Sequence, residues 1–209
     1  MSVINNQQAG DTIIEVLFAM AIFALVTVGG LSIMNKGAAA VQRSLEITQV
    51  RNEIDSQAEA LRFLNASYLA AYKTGSVGSG FAKEWKDIKD LYTVAPNFID
   101  DPVSDECKGP IFGTGRPYFI VDTKNVKVIR LLENHNYNLP ATYSQLRFDQ
   151  LHEATFEAAD GIWIQAVKSN EGLTSKSEYI DFHIRACWFS VGQSIPVSLE
   201  TIVRLYEPR

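Results

Sequence analysis

Between Thr12 and Tyr72 the chain has no proline, and between Val16 and Met34 it has no charged residue. The first absence removes the strongest helix breaker, since proline lacks the amide donor and clashes with the preceding turn. The second leaves an uncharged apolar run of about the length, roughly 20 residues, that a helix needs to cross a hydrocarbon core. Basic residues are not in excess: 19 Lys and Arg against 24 Asp and Glu give a net charge of −5, which offers no bulk attraction to nucleic acid. Histidine is scarce. His135, His152 and His183 are the whole supply, and no two stand at the helical spacing of metal ligands. HExxH, CxxC, a phosphate-binding glycine loop and a GxSxG elbow are all missing. Nothing in the spacing of His152, Glu153 and Asp160 brings them together as an acid/base group, so they are read as surface polar residues. The expectation is a protein that is not an enzyme, with no catalytic residue, no resident metal and no cofactor.

What the chain does have is concentrated at its start. Gly10-Asp11-Thr12-Ile13-Ile14-Glu15 runs straight into the apolar stretch, which places a carboxylate about one turn inside a hydrophobic helix. An ionisable group at that depth is costly and calls for a partner. The hexapeptide resembles the processing and assembly signal of type IV prepilins and pseudopilins, whose pattern is Gly-Phe-Thr-Leu-Ile-Glu. Gly10, Thr12, Ile14 and Glu15 match it, Ile13 is a conservative change, and Asp11 stands where the family has Phe. The likeness covers about the first third of the chain.

That resemblance implies a sequence of events. A prepilin peptidase cuts after Gly10 and methylates the new amino group on Asp11. Glu15, with Thr12 in the same signal, then acts in assembly, its carboxylate pairing with the amine of a neighbouring subunit. A carboxylate in low dielectric is destabilised alone and much less so when paired, so relief of Glu15 favours assembly. The implied partners are the peptidase, other pilin subunits, an inner-membrane assembly platform and, before assembly, membrane lipid. The implied location is the cytoplasmic membrane, single-pass with the C-terminal domain outside, and then an extracellular pilus. Lys36 and Arg43 flank the far side of the run and the leader has no charged side chain. The positive-inside rule alone would point the chain the other way, so orientation is taken from the motif. Asp11 and the loop-rich domain favour a minor or tip pilin. The alternatives are a pseudopilin of a type II secretion or DNA-uptake system and, from another class, a membrane-anchored binding ectodomain that never polymerises.

Two plainer readings of the N-terminus fit less well. A secretory signal peptide would have a basic start, a shorter apolar core and a small-residue cleavage site beyond it. A simple signal anchor explains the apolar run but leaves Glu15 unexplained. Gly29-Gly30 weakens the helix interior by roughly 1 kcal/mol per residue relative to Ala. In this family a segment of the N-terminal helix can melt or stretch, which makes Gly29 and Gly30 candidates for helix flexibility; close packing of membrane helices is the equal alternative. The two cysteines, Cys107 and Cys187, fall in the part that the motif places outside the membrane, where an even count favours a disulfide. Pilin-like proteins often carry such a pair, and two buried free thiols are the alternative.

The organisation expected is α+β: a long N-terminal helix, its first half membrane-spanning, packed on a C-terminal antiparallel sheet domain in the manner of a type IV pilin. Residues 1–10 form the leader, 11–35 the transmembrane and assembly helix, 36–74 its amphipathic continuation and 75–209 the globular domain. Ile47, Val50, Ile54, Ala58, Leu61, Leu64, Tyr68 and Tyr72 step by three or four as one apolar stripe, with Arg51, Asp55, Glu59 and Arg62 on a charged strip. This reads as one helix of about 60 residues, roughly 90 Å long. Thr74–Gly80 ends it, and Phe81–Thr93 reads as a short amphipathic helix or connector. Strands are expected at Arg116–Asp122, Val126–Leu132, Thr142–Phe148, Ile162–Lys168, Tyr179–Phe189 and Val197–Tyr206, joined as an antiparallel meander. Alternation in Tyr179–Ala186 puts Asp181, His183 and Arg185 on a wet face. Asp100–Glu106 could offer oxygens to calcium but reads more simply as a solvated turn. Trp163 and Trp188 are expected in the core, while the charged neighbours of Trp85 leave it a candidate for an exposed aromatic patch. The Asn65-Ala66-Ser67 glycosylation pattern is discounted because it falls within the helix.

Overall fold

The computed structural model describes residues 11–95, 107, 109–112, 115–133, 135–149, 155–169 and 178–207, with only the backbone at Asp11 and Thr12. Helix α1 spans Asp11–Tyr72 without a break. The chain divides into two compact units, the second beginning at Leu45, and α1 contributes to both. In the first unit every described position from Ile13 to Gly37 is exposed. In the second, Val50, Ile54, Ala58, Leu61, Leu64 and Tyr68 are buried in the core, while Arg51, Asp55, Glu59 and Arg62 face solvent. The apolar stripe is as expected except at its end, where Tyr72 is exposed, because α1 stops there. Gly75, at φ +73, turns the chain left-handed. Its amide bonds the Tyr72 carbonyl and that of Ser76 bonds the Ala71 carbonyl, the paired bonds by which a glycine after the last turn satisfies orphan carbonyls.

Helix α2 (Gly80–Asp87) continues into a π-helical turn, Ile88–Tyr92. The strands are β1 (Thr93–Val94), β2 (Tyr118–Asp122), β3 (Lys127–Leu131), β4 (Tyr137–Asn138), β5 (Gln145–Phe148), β6 (Phe156–Asp160), β7 (Ile162–Lys168), β8 (Tyr179–Trp188) and β9 (Val197–Tyr206). The main sheet has the order β3-β2-β7-β8-β9, with β1 added beside β7. Its long pairings are antiparallel, so the architecture is α+β with a largely antiparallel sheet domain. It is not a simple meander. β1 runs parallel to β7 and β4 parallel to β6, and a separate three-stranded sheet, β4-β6-β5, is inserted between β3 and β7.

The expected strand at Thr142–Phe148 begins only at Gln145, and that at Arg116–Asp122 only at Tyr118, after Pro117, which has no amide to donate. β6 was not expected at all: Phe-Glu-Ala-Ala-Asp has no strand alternation, and its state is set by pairing with β4 and β5. Gly161, at φ +65, makes the corner from β6 to β7. A Cβ there would lie 2.5 Å from the Cys187 carbonyl oxygen, so only glycine fits.

The wet face expected on β8 is mostly absent. His183 and Arg185 are buried, at 8% and 2% exposure, while Asp181 is half-buried. The same face of β7 carries Trp163 and Gln165 in register with Arg185 and His183, and both are buried too. Alternation in β8 therefore reflects polar pairing within the sheet instead of solvent exposure.

Candidate functional site

The N-terminal signal is the first candidate. Gly10 lies outside the described residues. Asp11 is the first residue of α1 and Thr12 the second; Glu15 follows on the same helix with its side chain exposed. The apolar stretch behind it is long and apolar enough to cross a membrane, and none of it is buried. Phe18, Phe23, Leu25 and Ile33 are each at least two-thirds exposed or close to it (66%, 70%, 74% and 73%), which in water would be a large unfavourable surface. Gly29 and Gly30 lie inside this run in regular helix, and a Cβ on either would meet nothing within 4 Å. Thr27 bonds the Phe23 carbonyl at 2.8 Å, which satisfies its hydroxyl within the helix.

In the second unit, Cys107 and Cys187 form a disulfide. Their Cα atoms are 5.6 Å apart and 80 positions apart in sequence, and both residues are buried. This replaces the alternative of two free thiols. The bridge ties the segment before β2 to β8, the central partner of both β7 and β9.

A set of buried polar pairs surrounds the core. Gln57, fully buried, bonds the Val121 carbonyl and accepts from the Val121 amide, each at 2.8 Å. β2 meets β7 only at Phe119 and Ile164, so the Gln57 amide takes the place of a missing peptide partner for Val121. Glu46 accepts from the Trp188 indole at 3.1 Å. Asn65 donates to the Tyr206 carbonyl at 3.3 Å, which gives this Asn a structural use inside the helix. Glu200 joins His183 and Arg185 at 2.9 and 3.0 Å. Its burial opposes ionisation, but the bonds from His183 and Arg185 outweigh it and hold the carboxyl below its ordinary value.

Trp85 is fully buried, which removes it as an exposed aromatic. Its indole reaches Glu207 at 3.2 Å, and Lys89 pairs with the same carboxylate. Burial works against the Lys89 charge, yet the bond to Glu207 raises its ammonium above the ordinary value. Trp163 and Trp188 lie in the core as expected. Asp160, expected at the surface, is buried and ion-paired with Arg147 at 2.7 Å. His152, Glu153 and the acidic stretch 100–106 lie outside the described residues. Among the described residues no group of three or more His, Cys, Asp or Glu comes together as metal ligands.

The interior partners Glu46, Gln57 and Asn65 were missed in the sequence, although a signal was there. Each sits three or four positions from stripe members, Glu46 before Val50, Gln57 between Ile54 and Leu61, and Asn65 after Leu61. A polar residue in phase with an apolar stripe is a candidate for a buried hydrogen bond. Comparison with known proteins finds no matching family model, no matching curated protein and no matching solved structure.

Proposed function

We propose that the chain is a filament subunit that begins as a single-span membrane protein and ends in an extracellular fibre. Within that class, the reading is a minor or tip pilin of a type IV pilus-like filament, cut after Gly10 by a prepilin peptidase. One observation carries it: the Gly10–Glu15 signal runs directly into an apolar stretch of unbroken helix, none of which is buried. A carboxylate at the head of such a helix gains little in lipid and much from a neighbouring amine. The α+β domain and its disulfide suit a chain whose C-terminal part works in an oxidising compartment.

The test is N-terminal mass analysis of the membrane and sheared-surface fractions. A mature chain starting at methylated Asp11 is expected. An intact Met1–Gly10 on the folded protein would instead favour an anchored ectodomain. Glu15→Ala is expected to be cleaved normally but to be lost from sheared filaments; unchanged incorporation would refute the pairing role of Glu15.

A further inference from the structure

Strand β9 forms one edge of the main sheet and is ten residues long, paired with β8 along its full length without a register shift. Natural sheets protect such edges with charged side chains, lysine above all, with proline, bulges or short strands, or by covering them with a helix or loop. The opposite edge, β3, is five residues long and carries Lys127. Val197–Tyr206 has no lysine, no proline and no bulge, and among the described residues no strand covers its far side.

The direction of its backbone groups follows from one bond. The Glu207 amide donates to the Glu178 carbonyl at 3.0 Å, in the register that sets Tyr206 against Tyr179. Residues that exchange amide bonds alternate with residues that do not. Leu205, Val203, Thr201, Leu199 and Val197 therefore bond β8, while Tyr206, Arg204, Ile202, Glu200 and Ser198 turn their amides and carbonyls to the open edge. The Tyr206 carbonyl fits this, since Asn65 reaches it from outside the ladder. The side chains of the same five residues are all exposed, Ile202 at 57%.

We propose that two copies of this chain pair edge to edge, antiparallel, through β9 about a twofold axis at Ile202. The occupant is chosen by the order of charges. In this register Ile202 faces Ile202 of the second copy, and Glu200 of each copy comes opposite Arg204 of the other. Glu200 is already bonded to its own His183 and Arg185, and Arg204 is already paired with its own Asp181, so the facing charges extend existing ion pairs. Opposite charges in directly facing positions stabilise a sheet, and like charges oppose it. Moving the axis by one residue either way sets Glu200 or Arg204 against Ile202, and both charge pairs are lost. Glu200, Ile202 and Arg204 have outward-facing backbone groups, so the centre of the ladder closes without a bulge, while at its end the Tyr206 carbonyl already holds Asn65. This self-association surface is separate from the N-terminal signal and does not depend on cleavage or on Glu15.

The test uses the full chain in detergent micelles, in a Glu15→Ala background so that filament assembly makes no contribution. Ile202→Cys introduces the sole reactive thiol, because the described cysteines are bonded to each other. Directly paired residues have Cα atoms about 5.5 Å apart, within disulfide reach. Mild oxidation is expected to give a covalent dimer with Ile202→Cys and none with Lys127→Cys on β3. Adding Arg204→Glu to Ile202→Cys sets like charges opposite each other and is expected to abolish the dimer, with thermal melting confirming the fold. Equal crosslinking at positions 202 and 127 would overturn the proposal, and so would a dimer that survives Arg204→Glu. Recovery of Ile202→Cys bonded to a foreign chain instead of a second copy would overturn the choice of occupant.

Discussion

Gln57 shows how much one side chain can hold. Its amide supplies both partners of the Val121 backbone at a place where β7 has moved away from β2. Leucine in its place fills similar space but leaves a buried amide and a buried carbonyl unpaired. Each orphaned group costs about 1–3 kcal/mol, so Gln57→Leu is expected to lower stability by roughly 2–6 kcal/mol, read as a shift in the urea midpoint at unchanged slope. A loss under about 1 kcal/mol would show that water or a moved backbone replaces the amide. The Glu46–Trp188 bond follows the same logic, with a carboxylate satisfying an indole deep in the core. At this scale the sequence was readable only in part. The apolar stripe announced Val50, Ile54, Leu61 and Leu64, but nothing local says what Gln57 or Glu46 will meet across the core.

Among the elements, α1 and the disulfide illustrate two different kinds of constraint. The helix is legible from its own residues, through the missing prolines, the three-and-four spacing and the glycine that ends it at Gly75. The bridge closes a loop 80 positions apart in sequence. Restricting the unfolded chain over such a loop contributes about 4–5 kcal/mol in the chain-entropy account. Replacing both cysteines by alanine is therefore expected to lower the Tm by roughly 10–20 °C for a domain of this size. A melt that is the same with and without reductant would show that the bridge adds nothing. β6 marks the limit of element-level reading. Its Glu-Ala-Ala-Asp core favours helix when taken alone, and only the β4 and β5 pairings make it a strand.

For the molecule as a whole, charge pairs set the pH range of stability. The Glu200 carboxyl lies below its ordinary 4.5 in the folded state, so its contribution is present above that value and is lost as pH falls through the folded value. Glu53 opposes this, because burial raises its carboxyl and protonation relieves the cost. The two are separated by Glu200→Gln: the variant is expected to be less stable than wild type at neutral pH, with the difference shrinking as pH drops below about 4.5. A difference that stays constant with pH would refute the linkage. At the alkaline end Lys89 lies above its ordinary 10.5, and burial holds the Tyr137 phenol above its ordinary 10.0. Both contributions are present below those values and are lost as pH rises through the folded ones.

The sequence by itself determined the long helix, its apolar first half, its stop and the main strands β2, β3, β7, β8 and β9 to within a few residues. These are properties of local spacing: a period of three to four, an alternation of two, and glycine or proline at the breaks. The tertiary structure decided what local spacing does not encode. It placed β7 between β2 and β8, added two parallel pairings, made a strand of β6, joined Cys107 to Cys187, and buried His183, Arg185 and Trp85. A polar side chain alternating with apolar ones looks the same in sequence whether water or a Glu200 awaits it. Only the chain returning from far away supplies that partner.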